Sequence, residues 1–270
     1  MQQISILGCG WLGLPLAKSL IQNGWTVNGS TTSADKDTIL KEAGINPFII
    51  QLKSDTIEGN IEMFLRDSEV LIIDIPPKLR GENPESFVDK IKLLIPHIEA
   101  STITKVLFVS STSVYADDNS VVTEGTIPQP ETESGKQLVV SEKLLLQNPN
   151  FKTTVVRFGG LISEDRQPVK YMAGKDNLEN PDGPVNVIDR EDCIGIIEAI
   201  LEKDVWNTIF NGVMPYHPTR KEYYTQKALS LGLAELKFNH EKQSHGKTVS
   251  AEKVKTILKY DFKKGSGRDF

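Results

Sequence analysis

The chain has 270 residues, 39% of them hydrophobic, a net charge of −5 and two cysteines. That length allows one large α/β unit or a main domain with a smaller lobe. The acidic balance and the lack of a long basic stretch argue against nucleic acid or an anionic membrane as the main partner, and leave a small phosphate-bearing ligand open.

No apolar run reaches the roughly 18 residues that suggest a transmembrane helix. The start Met1-Gln2-Gln3 lacks the basic region of a secretory signal, so the first residues are expected to be folded protein. Cys9 and Cys193 suit reduced thiols better than a disulfide, and a cytoplasmic location is the expectation.

The run Ile4–Leu7 reads as a strand and leads into Gly8-Cys9-Gly10-Trp11-Leu12-Gly13. A strand that ends in G-x-G-x-x-G uses its first glycine for a tight turn, its second to admit a pyrophosphate and its third to pack helix on strand. Leu12, Leu14, Leu16, Ala17, Leu20 and Ile21 then supply an apolar helical face, and Asn23-Gly24 a stop. Pro15 fits the first turns of that helix, where backbone N–H groups have no helical partner. Gly8, Gly10, Trp11, Leu12 and Gly13 are therefore candidate dinucleotide-binding residues.

Thr26–Ser30, Pro47–Leu52, Val70–Ile75, Lys105–Ser110 and Lys152–Arg157 read as further strands, alternating with helical stretches. This alternation predicts an α/β fold, a Rossmann-type doubly wound parallel sheet with right-handed crossovers. One intervening helix is predicted over Pro84–Leu94, with Asn83 as its cap, Pro84 at its first position and Glu85 in its first turn.

An acid at the end of the second strand, about 20 residues beyond the glycines, marks NAD-preferring sites. Here that stretch reads Asn28-Gly29-Ser30-Thr31-Thr32-Ser33-Ala34-Asp35-Lys36. No carboxylate stands at the strand end, while Thr31, Thr32, Ser33 and Lys36 offer hydroxyls and a cation to a 2′-phosphate. NADP is thus favoured over NAD. Alternatively, Ser33 caps a helix over Ala34–Ala43 that Gly44 ends, with Lys36 solvated, or Asp35 reaches back to the ribose.

Ser163–Pro184 is rich in Gly, Pro, Asn and charge and reads as a loop region. Helices are expected over Arg190–Lys203, Lys221–Leu231 and Ser250–Leu258, with Asn211–Arg220 irregular. The division that follows is a dinucleotide-binding core of residues 1–162 and 185–210, and a small C-terminal substrate lobe of 163–184 and 211–270. The lobe is expected to cap the carboxyl edge of the sheet, where open α/β folds bind ligands. His97, His217, His240 and His245 have no ligand spacing, and no metal is expected. Lys247 and Arg268 either meet a substrate phosphate or stand idle and exposed.

Phe108-Val109-Ser110-Ser111-Thr112-Ser113-Val114-Tyr115 is a strand running into a hydroxyl-rich turn, followed by Glu124, Pro128, Pro130, Gly135-Lys136 and Glu142. With Val155-Val156-Arg157 and Val185-Asn186-Val187-Ile188 through Asp192, this pattern resembles the extended short-chain dehydrogenase/reductase superfamily, in its nucleotide-sugar epimerase and dehydratase branch. The resemblance spans nearly the whole chain. It implies that Ser111 hydrogen-bonds the reacting oxygen of a substrate and that the turn in Ile73-Asp74-Ile75-Pro76-Pro77, with Ile75, Pro76 and Pro77 as its candidate residues, lies along the cofactor; its other reading is a sharp exit turn with no ligand role. It also implies a homodimer through the helices Pro84–Leu94 and Gly135–Leu146, a surface on which Lys90, Lys92, Lys136 and Lys143 sit.

The family's Tyr-x-x-x-Lys acid/base pair has no match: the register set by Pro130, Gly135, Lys136 and Glu142 puts Ser134 and Leu138 in its places. Lys136 stands two positions from Ser134 and faces elsewhere on a helix. Tyr115, with a phenol pKa of about 10 that a cation could lower, is the alternative acid/base. Its other reading is a ring packed under cofactor or substrate, as Ser110 to Ser113 have the other reading of satisfying a tight turn. Two functions follow as expectations. One is an enzyme acting on a nucleotide-sugar-like or other alcohol/carbonyl substrate, with Ser111 and Tyr115 as catalytic candidates. The other is a non-catalytic dinucleotide-binding sensor or scaffold.

Overall fold

A computed structural model describes residues 2–79 and 84–264. Asn83 and Arg268 lie outside the described residues.

Strand β1 (Gln3–Leu7) enters the glycine loop and helix α1 (Gly13–Gln22) leaves it. The helix buries Leu16, Ala17 and Leu20, and it stops where expected, at Asn23, with Gly24 at a φ of +87°. β2 (Thr26–Thr31) follows, then a 3₁₀ turn (Ala34–Lys36), α2 (Asp37–Glu42) and β3 (Asn46–Ile49). The predicted helix over 34–43 is therefore split. The predicted strand over 47–52 also ends early: Gln51–Leu52 turns into an antiparallel pair with Ile57–Glu58.

α3 (Ile61–Leu65), β4 (Val70–Ile73) and α4 (Phe87–Glu99) come next. All four β4 residues are buried, as befits a strand covered on both faces. α4 begins later than predicted, with the Ser86 hydroxyl accepting from the Asp89 N–H, and it continues through Pro96. Burial of Phe87, Ile91, Leu94 and Ile98 along one face offsets the hydrogen bond that Pro96 cannot donate.

β5 (Lys105–Ser111), α5 (Glu133–Leu146), β6 (Lys152–Phe158), α6 (Arg190–Glu202) and β7 (Thr208–Gly212) complete a seven-stranded parallel sheet of order β7-β6-β5-β4-β1-β2-β3. β7 has no counterpart among the predicted strands, and its last two residues, Asn211 and Gly212, fall in the stretch Asn211–Arg220 expected to be irregular. Two further helices follow, α7 (Arg220–Ser230) and α8 (Glu252–Ile257).

The chain forms two compact units, one of Met1–Val114, Pro130–Arg157 and Ile200–Ile209, the other of Tyr115–Gln129, Phe158–Ala199 and Phe210–Phe270. In the first, α4 and α5 pack on each other, and a buried polar knot ties β5, α5 and β6 together. The Glu142 carboxylate pairs with Arg157 at 2.6 Å and accepts from the Ser110 hydroxyl at 2.5 Å. In the second, Val169, Val185, Val187, Met214, Tyr223 and Leu236 belong to one apolar core. There the buried Asp192 accepts from the Tyr260 hydroxyl at 2.9 Å and the Lys263 N–H at 2.8 Å.

Candidate dinucleotide site

The glycine loop lies wholly within the first unit. Gly8 has a φ of +107°, and a Cβ there would stand 2.4 Å from the Asp74 carbonyl oxygen. A Cβ on Gly13 would stand 2.2 Å from the Gly8 carbonyl oxygen. Neither site tolerates a side chain. On Gly10 the same atom meets nothing within 4 Å. This is the division of labour that the spacing predicts: two glycines for backbone packing, one opening the loop outward.

Backbone groups fix the loop. The Gly8 N–H donates to the Ser30 hydroxyl at 2.9 Å, the Cys9 N–H to the Ser30 carbonyl at 2.7 Å, and the Gly10 N–H to the Gly8 carbonyl at 2.8 Å. Leu12, buried, caps α1 without a side-chain bond, and Trp11 is half-buried beside it. Burial first, and the charge of Asp74 second, push the Cys9 thiol up to about 12, so it is an inert packing group. Asp74 itself accepts a hydrogen bond from the Gly13 N–H, and burial pushes its carboxyl up to about 8.

At the end of β2, Thr31 is buried and its hydroxyl accepts from the Ser33 N–H at 3.2 Å. Thr32 and Lys36 are exposed and Ser33 is half-buried. Ser33 occupies the cap position of the 3₁₀ turn but makes no side-chain capping bond, so the capping alternative does not hold. After β4, Ile75 Cγ2 comes within 3.0 Å of the Cβ position of Gly8, with Pro76 exposed and Pro77 half-buried. The structure thus brings Gly8, Gly13, Asp74 and Ile75 together.

Ser111 ends β5, and its hydroxyl accepts from the Ser113 N–H at 3.1 Å, securing the 3₁₀ turn Thr112–Val114. α5 is laid against this turn, because Gly135 admits the Ser113 carbonyl: a Cβ there would stand 2.5 Å from it. Thr132 caps the helix, accepting from the Gly135 N–H at 3.1 Å. Ser134 is half-buried, Leu138 buried and Lys136 exposed.

Tyr115 belongs to the second unit. Its buried phenol donates to Asn211 Oδ1 at 2.9 Å, and its carbonyl accepts from Lys247 Nζ at 2.9 Å. Lys247 also pairs with Asp117 at 2.9 Å, so it is a buried tether rather than an idle surface cation. Asp74 stands in the segment expected to lie along the cofactor, but nothing in the sequence beyond its place after an apolar strand singles it out. The described residues contain no group of three or more His, Cys, Asp or Glu that could hold a metal, and no helix long and apolar enough to cross a membrane.

The fold and glycine loop define a Rossmann-type chain with the architecture of NAD-dependent nucleotide-sugar epimerases. MoeE5, solved with UDP-glucuronic acid and NAD, superposes with a TM-score of 0.81 at 15% identity, over 98% of this chain and 95% of that one. The UDP-glucuronic acid 4-epimerase from Bacillus cereus, in complex with NAD, gives 0.79 at 17% identity, over 97% and 92%. At such identities the likeness is one of fold. No family model matches the chain. Protein YeeZ of Escherichia coli K12 is 32% identical over 264 residues, 97% of this chain and 96% of YeeZ. The chain belongs to the same family as YeeZ.

Proposed function

We propose that the protein binds a nicotinamide dinucleotide at the glycine loop, NADP in preference to NAD, and acts on an alcohol or carbonyl group of a small, nucleotide-sugar-like substrate. The loop geometry supports this most: Gly8 and Gly13 admit no Cβ, whereas one on Gly10 would project into open space. The bound dinucleotide would supply hydride acceptance and donation. Gly8, Gly10, Trp11, Leu12 and Gly13 would hold its pyrophosphate, with the N-terminus of α1 contributing partial positive charge. Ile75, Pro76 and Pro77 would line it.

Thr31, Thr32, Ser33 and Lys36 would receive the 2′-phosphate, since no carboxylate at the end of β2 opposes one. Replacing Lys36 with alanine is expected to weaken NADPH binding about tenfold, in the range of a single charge-assisted contact, and to leave NADH within about twofold. Calorimetry on the two cofactors measures this. Equal losses for both would remove Lys36 from the phosphate site.

Ser111 is the proposed donor to the reacting oxygen, with no charge of its own to remove. Tyr115 is the second candidate, although its bond to Asn211 favours a packing role. Ser111→Ala is expected to lower turnover of candidate alcohols or carbonyls by about 100-fold at unchanged cofactor affinity, the range for losing one such donor. Tyr115→Phe separates the two roles. If Tyr115 packs, turnover stays within a few-fold and stability falls by about 1 kcal/mol, one buried hydrogen bond.

The second reading is a non-catalytic sensor or scaffold that binds the same dinucleotide. The buried, uncharged Leu138 favours it, since the resemblance places the family's lysine there. Cofactor binding without redox turnover on a panel of nucleotide sugars would select this reading.

A further inference from the structure

The glycine loop holds a charge conflict. Asp74 directly follows β4, with its carboxyl on the Gly13 N–H, in the first turn of α1. Its Oδ2 stands 3.1 Å from the Cβ position of Gly13, and its carbonyl 2.4 Å from that of Gly8. This is the helix terminus at which the glycine pattern seats a pyrophosphate. A carboxylate there would cancel the partial charge of the helix and repel the ligand.

We propose that Asp74 is a binding residue of the dinucleotide site and that it admits the pyrophosphate only as the neutral acid. The inference rests on the dinucleotide reading above. As a neutral acid, Asp74 keeps one carboxyl oxygen as acceptor of the Gly13 N–H and offers its side-chain O–H as a donor toward an incoming phosphate oxygen. No cation pairs with Asp74 among the described residues. Cys9, on the glycine loop, is the titratable group that faces it, and Lys36, beyond the end of β2, exerts its field on Cys9. The thiol stays protonated over the working range, so it adds no competing titration. Burial pushes the Asp74 carboxyl up to about 8, which leaves the proton in place at neutral pH.

The sign follows. Raising the pH removes the proton, shrinks the binding-competent fraction and weakens the ligand in proportion. NADH is the probe, because its pyrophosphate carries the same charge throughout pH 6 to 9.5. Titrated calorimetrically into the full chain, it is expected to bind about tenfold more weakly at pH 9 than at pH 7. Asp74→Asn is expected to flatten that profile to within about twofold, and Asp74→Ser, which also lacks the charge, to flatten it as well if the asparagine variant folds poorly. A flat wild-type profile, or the same slope in wild type and both variants, overturns the role of Asp74 while leaving the site intact. Failure of wild type to bind either NADH or NADPH at any pH overturns the dinucleotide reading itself.

Discussion

Replacing Arg157 with methionine is expected to cost about 3 to 5 kcal/mol of folding stability, a large part of the 5 to 15 kcal/mol that holds a typical domain. The Arg157 and Glu142 side chains are each only 3% exposed. Glu142 accepts from Nη2 at 2.6 Å and from Nε at 3.1 Å, while Ser110 donates to it from β5. Removing the guanidinium leaves a buried carboxylate with only a neutral hydroxyl beside it, and its charge must then be desolvated or neutralised. The pair as such is a weaker stabiliser than this loss suggests. Glu142→Leu together with Arg157→Met and Ser110→Ala is therefore expected to recover most of the stability. Urea denaturation of the three proteins checks both statements. A loss under about 1 kcal/mol for Arg157→Met would show that the knot is already solvated.

The second large effect is at the glycine loop, where two substitutions of the same size should part ways. Gly13→Ala sets a Cβ at 2.2 Å from the Gly8 carbonyl, against backbone that cannot swing aside, so α1 must shift from β1. Both stability and dinucleotide binding are expected to fall, binding by at least about 100-fold, or 2.7 kcal/mol. Gly10→Ala meets no protein atom, so its unfolding midpoint should stay near that of wild type, with a stability change within about 0.5 to 1 kcal/mol. Its binding should still fall by about tenfold or more, because the new methyl enters the space where the second glycine admits phosphate. Normal NADH affinity in Gly10→Ala would place the ligand elsewhere.

The same loop was legible in the sequence because it is local: strand, glycines and apolar helical face follow within about 20 residues, and each piece obeys its own periodicity. The strands of the core were legible for the same reason. β7 was not, because Thr208–Gly212 is a short run among Asn and Gly residues and owes its place to the sheet rather than to its own pattern. α4 runs past the predicted end at Leu94 to Glu99, through Pro96, a residue that locally signals a stop. Four buried apolar side chains on one face outweigh that signal.

Around the hydroxyl-rich turn from Ser110 to Tyr115, the residues were legible but their partners were not. Ser111 and Ser134 could be named from the family resemblance. The bonds that define Tyr115 come from Asn211 and Lys247, 96 and 132 residues away, and no local pattern announces them. Asp74 illustrates the complementary limit. Its identity was plain, but its proximity to Gly8 and Gly13 depends on two parallel strands lying side by side, β4 against β1.

The central claim is that the glycine loop of this YeeZ relative binds a nicotinamide dinucleotide. Calorimetric titration of the wild-type chain with NADPH and NADH at pH 7, beside Gly10→Ala, tests it most directly. Saturable binding of one equivalent is expected, tighter for NADPH, and weakened in the variant while its fold is retained. No saturable heat with either cofactor, or equal affinity in wild type and Gly10→Ala, would contradict it.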